Sequence, residues 1–246
     1  MPSAIARSNP QCRFFRLLAT LALALCGVAA HAETSPFIDP TKLEPVTLPS
    51  PVITRHHGIF NGQRLAYDAI VESFTTTALD GTITARLVST SYVAVKPSSI
   101  ARPVLFAFNG GPIAASTPLH FGLLGPQRLA VPDDLHADAS TFKLVDNRYS
   151  PLDVADIVIF DPASTGYSRV ADGVAPASQF STRADSRQLA QLVQAWLQRH
   201  GRQGAQVYLL GESYGTLRAP EAATQLKQAG TAVAGIILLG QAANII

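Results

Sequence analysis

The pentapeptide Gly211-Glu212-Ser213-Tyr214-Gly215 follows directly on the apolar run Val207-Tyr208-Leu209-Leu210. A serine between two glycines at the end of an apolar strand predicts one backbone shape. The chain leaves the strand, turns sharply and enters a helix, lifting the serine hydroxyl out of the sheet. Such a turn is strained and crowded, and its flanking glycines relieve both conditions. The turn needs a buried strand before it, a helix after it and further strands beside it. Ser213 is thus a candidate nucleophile for acyl transfer, and the chain a candidate α/β protein.

The rest of the sequence supplies those elements. Residues 64–69 and 82–95 are rich in β-branched and aromatic residues, and Asp80-Gly81 is a turn signal between them. They predict an antiparallel start to a sheet. The runs 104–108, 157–160, 207–210 and 236–239 are short and almost wholly apolar, as in strands buried on both faces of a parallel sheet. Leu189, Leu192, Val193, Trp196 and Leu197 form a helical stripe, with Thr182-x-x-Asp185 as a capping box before it. A second helix is expected from about Tyr214 to Gln228, ended by Gly230, with Pro220 kinking it near its start. Strands alternating with helices predict a doubly wound, mostly parallel sheet carrying antiparallel N-terminal strands.

The N-terminus has a different character. Arg13 and Arg16 precede an apolar stretch from Leu17 to Ala30 that is too short to span a bilayer, and Ala30-His31-Ala32 is a small-x-small site. Residues 1–32 are therefore expected to be a secretory signal cleaved after Ala32, giving a secreted or periplasmic protein. Residues 33–51, with Pro36, Pro40, Pro45, Pro49 and Pro51, predict an extended arm before a domain over 52–246. The formal net charge of +2 becomes −1 once Arg7, Arg13 and Arg16 are set aside, so no basic surface for nucleic acid is expected. Cys12 and Cys26 both lie in the leader, leaving no cysteine in the mature chain. No other stretch is long enough for a membrane span.

An attacking serine needs donors for the oxyanion and a base for its proton. One donor is the backbone N–H of Tyr214, the residue after the nucleophile. The other is expected from the loop after an earlier strand. Asn109-Gly110-Gly111-Pro112 follows the 104–108 run, which makes Gly111 the candidate. The base is harder to place. His31, His56, His57, His120, His136 and His200 all precede Ser213, whereas this fold orders its triad Ser, acid, His. His120 is read as a structural or surface histidine. His56-His57 is read as a non-metal pair, since adjacent strand residues point to opposite faces.

Four segments together resemble the serine carboxypeptidase family, most closely its bacterial members. They are Phe108-Asn109-Gly110-Gly111-Pro112, Leu124-Gly125-Pro126-Gln127-Arg128, a stretch from Asp146-Asn147-Arg148 through Asp161-Pro162-Ala163-Ser164-Thr165-Gly166-Tyr167-Ser168, and the serine pentapeptide. The resemblance implies an α/β-hydrolase, here its N-terminal portion and incomplete at the C-terminus. It implies removal of C-terminal residues through a Ser213 acyl-enzyme, with Gly111 and Tyr214 as the oxyanion hole. Asn109 and Glu212 match positions that bind the substrate's terminal carboxylate, so the implied partners are peptides with a free C-terminus. No cofactor or metal is implied. The family's acid and histidine have no counterpart here. Ile113 stands where the family has glycine, and Ala163-Ser164 where it prefers a bulky apolar residue and glycine. An esterase or acyltransferase on the same scaffold, or an inactive remnant, are the alternative readings.

Overall fold

A computed structural model describes residues 50–95, 102–134 and 136–242. The predicted signal segment and residues 33–49 of the predicted arm lie outside the described residues. The first three strands form an antiparallel meander: β1 (Val52–Phe60), β2 (Gln63–Thr77) and β3 (Ile83–Ala94). Asn61 and Gly62 join β1 to β2 with φ of 47° and 83°. A two-residue loop with both residues at positive φ matches the twist of a hairpin, and Asn-Gly tolerates it best. Gly81, at φ 85°, turns β2 into β3, and the Asp80 carboxylate accepts the Thr82 N–H at 2.9 Å.

The remaining long strands are β4 (Val104–Phe108), β7 (Asp156–Phe160), β9 (Val207–Glu212) and β10 (Val233–Leu239). They are parallel to one another and extend the meander in the order β1-β2-β3-β7-β4-β9-β10, with two-residue β8 (Arg169–Val170) pairing β3. Among the described residues, two long helices lie between strands: α1 (Thr182–Arg199) after β7 and α2 (Gly215–Gln228) after β9.

This order dictates which face each connection covers. From β4 the chain moves one way along the sheet to β7, then back across β4 to β9 and on to β10. Crossovers between parallel strands are right-handed, so reversing direction switches faces. Both α1 and α2 therefore lie on one face. Leu189, Leu192, Val193 and Trp196 of α1, and Ala219, Ala222 and Leu226 of α2, pack there on Phe106, Phe108, Val158, Phe160, Val207 and Leu209. Leu105, Ala107, Ile157, Ile159 and Leu210 point the other way, as the twofold period of strands requires. They are covered by the long β4–β7 connection. Its turns Thr117–Leu119, His120–Leu124 and Pro151–Asp153 supply Leu119, Leu124 and Leu152. The expected mostly parallel sheet with antiparallel N-terminal strands is present, and among the described residues its two faces are covered by two long helices on one side and short turns on the other. The same connection carries a two-stranded sheet, β5 (Gln127–Ala130) with β6 (Lys143–Asp146). Buried Asn147 holds it down by donating to the Leu123 and Gly125 carbonyls at 2.8 and 2.9 Å.

The expected capping box is corrected. The N-cap of α1 is Ser181, whose hydroxyl accepts the Ala184 N–H at 3.2 Å. Thr182 and Asp185 are engaged elsewhere, Thr182 by the Tyr214 hydroxyl and Asp185 by Arg218. The far end of α1 is tied to the sheet by buried Glu72 of β2, which accepts from Arg199 at 2.8 Å and pairs with His200 at 2.6 Å. Burial pushes the Glu72 carboxyl up, but these partners outweigh it and hold it below its ordinary range. No helix among the described residues is long and apolar enough to cross a membrane.

His120 sits in the second face, its Nε2 2.5 Å from the Tyr92 hydroxyl and its ring stacked on Phe121. Burial lowers His120 from its ordinary 6.5 to about 4 and raises the Tyr92 phenol above its usual range. The folded value lies below the unfolded one, so on acidification the unfolded chain takes the proton first. Stability from this site is complete above pH 6.5 and is lost as pH falls toward about 4. The shift corresponds to about 3 kcal/mol. Urea unfolding across that range is expected to show wild type losing about that much more stability than His120→Gln. Parallel pH profiles for the two proteins would contradict the assignment.

Candidate active site

The reversal at β4 leaves a crevice at the carboxyl ends of β4 and β9, because the connections leaving them depart to opposite faces. Open α/β sheets bind their ligands at such a point. Asn109-Gly110-Gly111 leaves β4 there, and Glu212-Ser213 ends β9 there.

Ser213 has φ of 56°, a left-handed conformation that costs a non-glycine residue energy. The surroundings over-determine it. The Ser213 N–H donates to the Leu239 carbonyl of β10 at 2.9 Å. Its own carbonyl accepts the Thr216 N–H at 2.9 Å and the Thr216 hydroxyl at 2.7 Å. The Thr216 hydroxyl accepts in turn from the Ala242 N–H at 3.0 Å. The strand ends meet backbone to backbone. A Cβ on Gly110 would stand 2.5 Å from the Tyr214 nitrogen and 2.8 Å from the Glu212 carbonyl oxygen. A Cβ on Gly211 would collide with the Gly215 carbonyl. Glycine at these positions is what lets the Asn109 loop reach the serine turn.

The loop brings Asn109 and Glu212 together. The Asn109 side-chain amide donates to Glu212 Oε2 at 2.8 Å, and its oxygen accepts the Leu119 N–H at 3.0 Å. Asn109 is buried and Glu212 half-buried. Ser116 stitches the loop to the next strand: its hydroxyl accepts the Asn109 N–H at 3.1 Å and donates to the Phe160 carbonyl at 2.6 Å. Its own N–H donates to Asp161 at 2.8 Å. Burial raises the Asp161 carboxyl above its ordinary range, against the N–H groups of Ser116 and Tyr167 and the charge of Arg169.

Gly111 takes φ of 115°. Among the described residues, neither the Gly111 nor the Tyr214 N–H donates to an acceptor within the chain. Ile113, the bulky residue after Pro112, is 56% exposed. Ser164 adopts φ of 69°, the conformation glycine would favour there.

Five of the residues singled out from sequence, Asn109, Gly111, Glu212, Ser213 and Tyr214, therefore stand at one end of two adjacent strands. Among the described residues, no histidine is hydrogen-bonded to them. His120 faces Tyr92, His200 faces Glu72, and His56 pairs with Thr54 and stacks on Tyr67. Sequence reasoning missed Ser116, Asp161, Asp185 and Arg218. Arg218 is fully buried, its Nε 2.6 Å from Asp185 Oδ2, one nitrogen 2.6 Å from the Asn109 carbonyl and the other 3.4 Å from the Pro112 carbonyl. The available signal was an arginine inside the apolar stripe of α2.

A strained serine turn after the strand beside the switch strand, with a glycine loop pressed against it, defines an α/β-hydrolase. Within that class the chain belongs to the serine carboxypeptidase family, whose sequence profile matches residues 91–238. Its structure is similar to that of Kex1, a prohormone-processing carboxypeptidase from Saccharomyces cerevisiae. The TM-score is 0.53 at 15% identity, over 70% of this chain and 38% of Kex1. The chain thus spans well under half the length of that protein. A carboxyl esterase from the fungus Tuber melanosporum aligns over 90% of this chain and 55% of its own, at 15% identity and a TM-score of 0.41. No curated protein matches by sequence.

The close approach at Gly110 is testable. Gly110→Ala sets a Cβ against backbone that cannot yield, and is expected to cost about 1–3 kcal/mol or more in urea unfolding. Gly122, with nothing within 4 Å of a built Cβ, is the control. Gly122→Ala should stay within about 0.5 kcal/mol. Equal effects would show that the loop does not press on the serine turn.

Proposed function

We propose that the whole protein is an exported serine carboxypeptidase and that the described residues hold its nucleophile, its oxyanion donors and its reader of the substrate terminus. The observation that carries this reading is the 2.8 Å hydrogen bond from Asn109 to Glu212, beside Ser213. A peptide's terminal carboxylate can join that pair by accepting from the Asn109 amide and sharing a proton with Glu212, since two carboxylates cannot both stay ionised at such a distance. The last peptide bond then lies over Ser213. The Ser213 hydroxyl attacks its carbonyl carbon, and the free N–H groups of Gly111 and Tyr214 receive the oxyanion. The hydroxyl proton passes to a general base and on to the leaving amine. Water then releases the acyl group by the same route. No hydrogen bond joins Ser213 to a histidine among the described residues, and the base is the one part of this cycle they do not supply. Export rests on the charged, apolar and small-x-small pattern of residues 1–32.

Calorimetric titration with a blocked dipeptide, as free acid and as amide, tests the reading. The acid is expected to bind at least about tenfold more tightly, the worth of one charge-assisted hydrogen bond. Its affinity should fall as pH rises, because binding takes up the shared proton. Glu212→Gln keeps a donor and should flatten that fall. Acid and amide bound alike, with the same pH profile in wild type and Glu212→Gln, would sink the carboxypeptidase reading. Turnover of simple esters, abolished by Ser213→Ala, would then favour an esterase.

A further inference from the structure

The Asn109–Pro112 loop carries two adjacent glycines and so has little stiffness of its own. Something outside it must hold the Gly111 N–H and the Asn109 amide in place. The carbonyls bracketing the glycine pair, those of Asn109 and Pro112, both face one guanidinium. It belongs to Arg218, five residues beyond Ser213 on the helix that follows the nucleophile turn. The guanidinium is closed in on its other sides. Asp185 of α1 accepts from Nε at 2.6 Å, the Phe108 ring centre is 5.3 Å from Cζ and the Tyr214 ring centre is 5.7 Å away. Arg218 is 0% and Asp185 2% exposed, so neither charge has water as an alternative partner. Every contact of this cation goes to a group that builds the crevice or to the residue that orients it.

We propose that Arg218, oriented by Asp185, is a positioning residue that locks the oxyanion loop to the helix that follows the nucleophile turn. This rests on the acyl-transfer reading of Ser213 for its purpose, though not for its geometry. Only the planar fork of arginine can span a carboxylate and two carbonyls at once. A lysine ammonium is a single point charge and can meet only part of that set. Losing the fork frees the glycine pair, so the Gly111 and Asn109 donors lose their fixed aim while Ser213, held by Leu239 and Thr216, keeps its turn.

Backbone order parameters and resonance positions of Gly110 and Gly111, read by NMR on the unliganded protein, test this without requiring activity. Arg218→Lys and Asp185→Asn are expected to shift both resonances and to lower both order parameters from the rigid range toward that of a flexible loop. Leu226→Ala, in the buried end of α2 and matched for its loss of melting temperature, is expected to leave both unchanged. If all three variants behave alike, Arg218 merely stabilises the fold and the proposal is overturned. Should neither pair variant fold, the wild-type guanidinium decides: slow Nε–H exchange together with coupling across the hydrogen bond from Nη1 to the Asn109 carbonyl supports the lock, and free rotation with fast exchange overturns it. In peptide titration, Arg218→Lys should weaken the free acid about tenfold and the amide little. Wild type that fails to separate acid from amide would defeat the carboxypeptidase reading and leave the loop measurement to decide the lock by itself.

Discussion

The handedness of the crossovers is the constraint from which the rest of the molecule follows. β4 is laid down first among the parallel strands, and the chain then adds β7 on one side and β9 on the other. Right-handed connections send the two paths to opposite faces and so divide at the carboxyl ends of β4 and β9. The crevice is thus a consequence of strand order, before any side chain is considered. What the sequence adds is the means to use it. Glycines at 110, 211 and 215 let the ends of β4 and β9 come within backbone contact. Ser213 accepts a strained φ because β10 and Thr216 fix the groups on either side of it.

Backbone that approaches this closely cannot also pair in a ladder, so its polar groups need other partners. Ser116 serves the N–H of Asn109, and Arg218 serves its carbonyl. The asymmetry of buried charge explains why the arrangement depends on both members of the pair. Arg218 with Asp185 is compensated, whereas either alone is a buried charge without a partner, a loss of about 3–5 kcal/mol. The same chemistry recurs away from the crevice, where buried Asp156 meets Arg102 and Arg202 at the opposite ends of β4 and β7. There it secures strand ends. At the crevice it secures the Asn109–Pro112 loop.

Local signals made the parallel core legible. The apolar runs expected at 104–108, 157–160, 207–210 and 236–239 each became a strand, lengthened by a few residues where one end is more polar. Ser213, Asn109 and Glu212 were legible because a strand-turn-helix motif and a glycine loop leave compositional marks. β1 was legible only in outline, through His56-His57 taken as strand neighbours: its Thr54-Arg55-His56-His57 stretch lacks an apolar run, and its extent is marked by the Asn61-Gly62 turn alone. Ser181 in place of Thr182 as the cap, and the capture of Asp185 by Arg218, were illegible for a different reason. Asp185 has the composition of a capping residue, and its partner lies 33 positions away across a helix pair. Tertiary partners of that kind override local pattern without leaving a trace in it.

The central claim is that the ends of β4 and β9 form one site for a peptide's free C-terminus. Mapping the resonances perturbed by a blocked dipeptide acid tests it most directly. The perturbations should centre on the Asn109 side-chain amide and the backbone N–H groups of Gly111 and Tyr214, and should shrink sharply when the amide of the same peptide is used. Perturbations that centre instead on the groove between α1 and α2, around Thr182, Arg187, Glu221 and Gln225, would contradict it. So would a map at the strand ends that is the same for acid and amide.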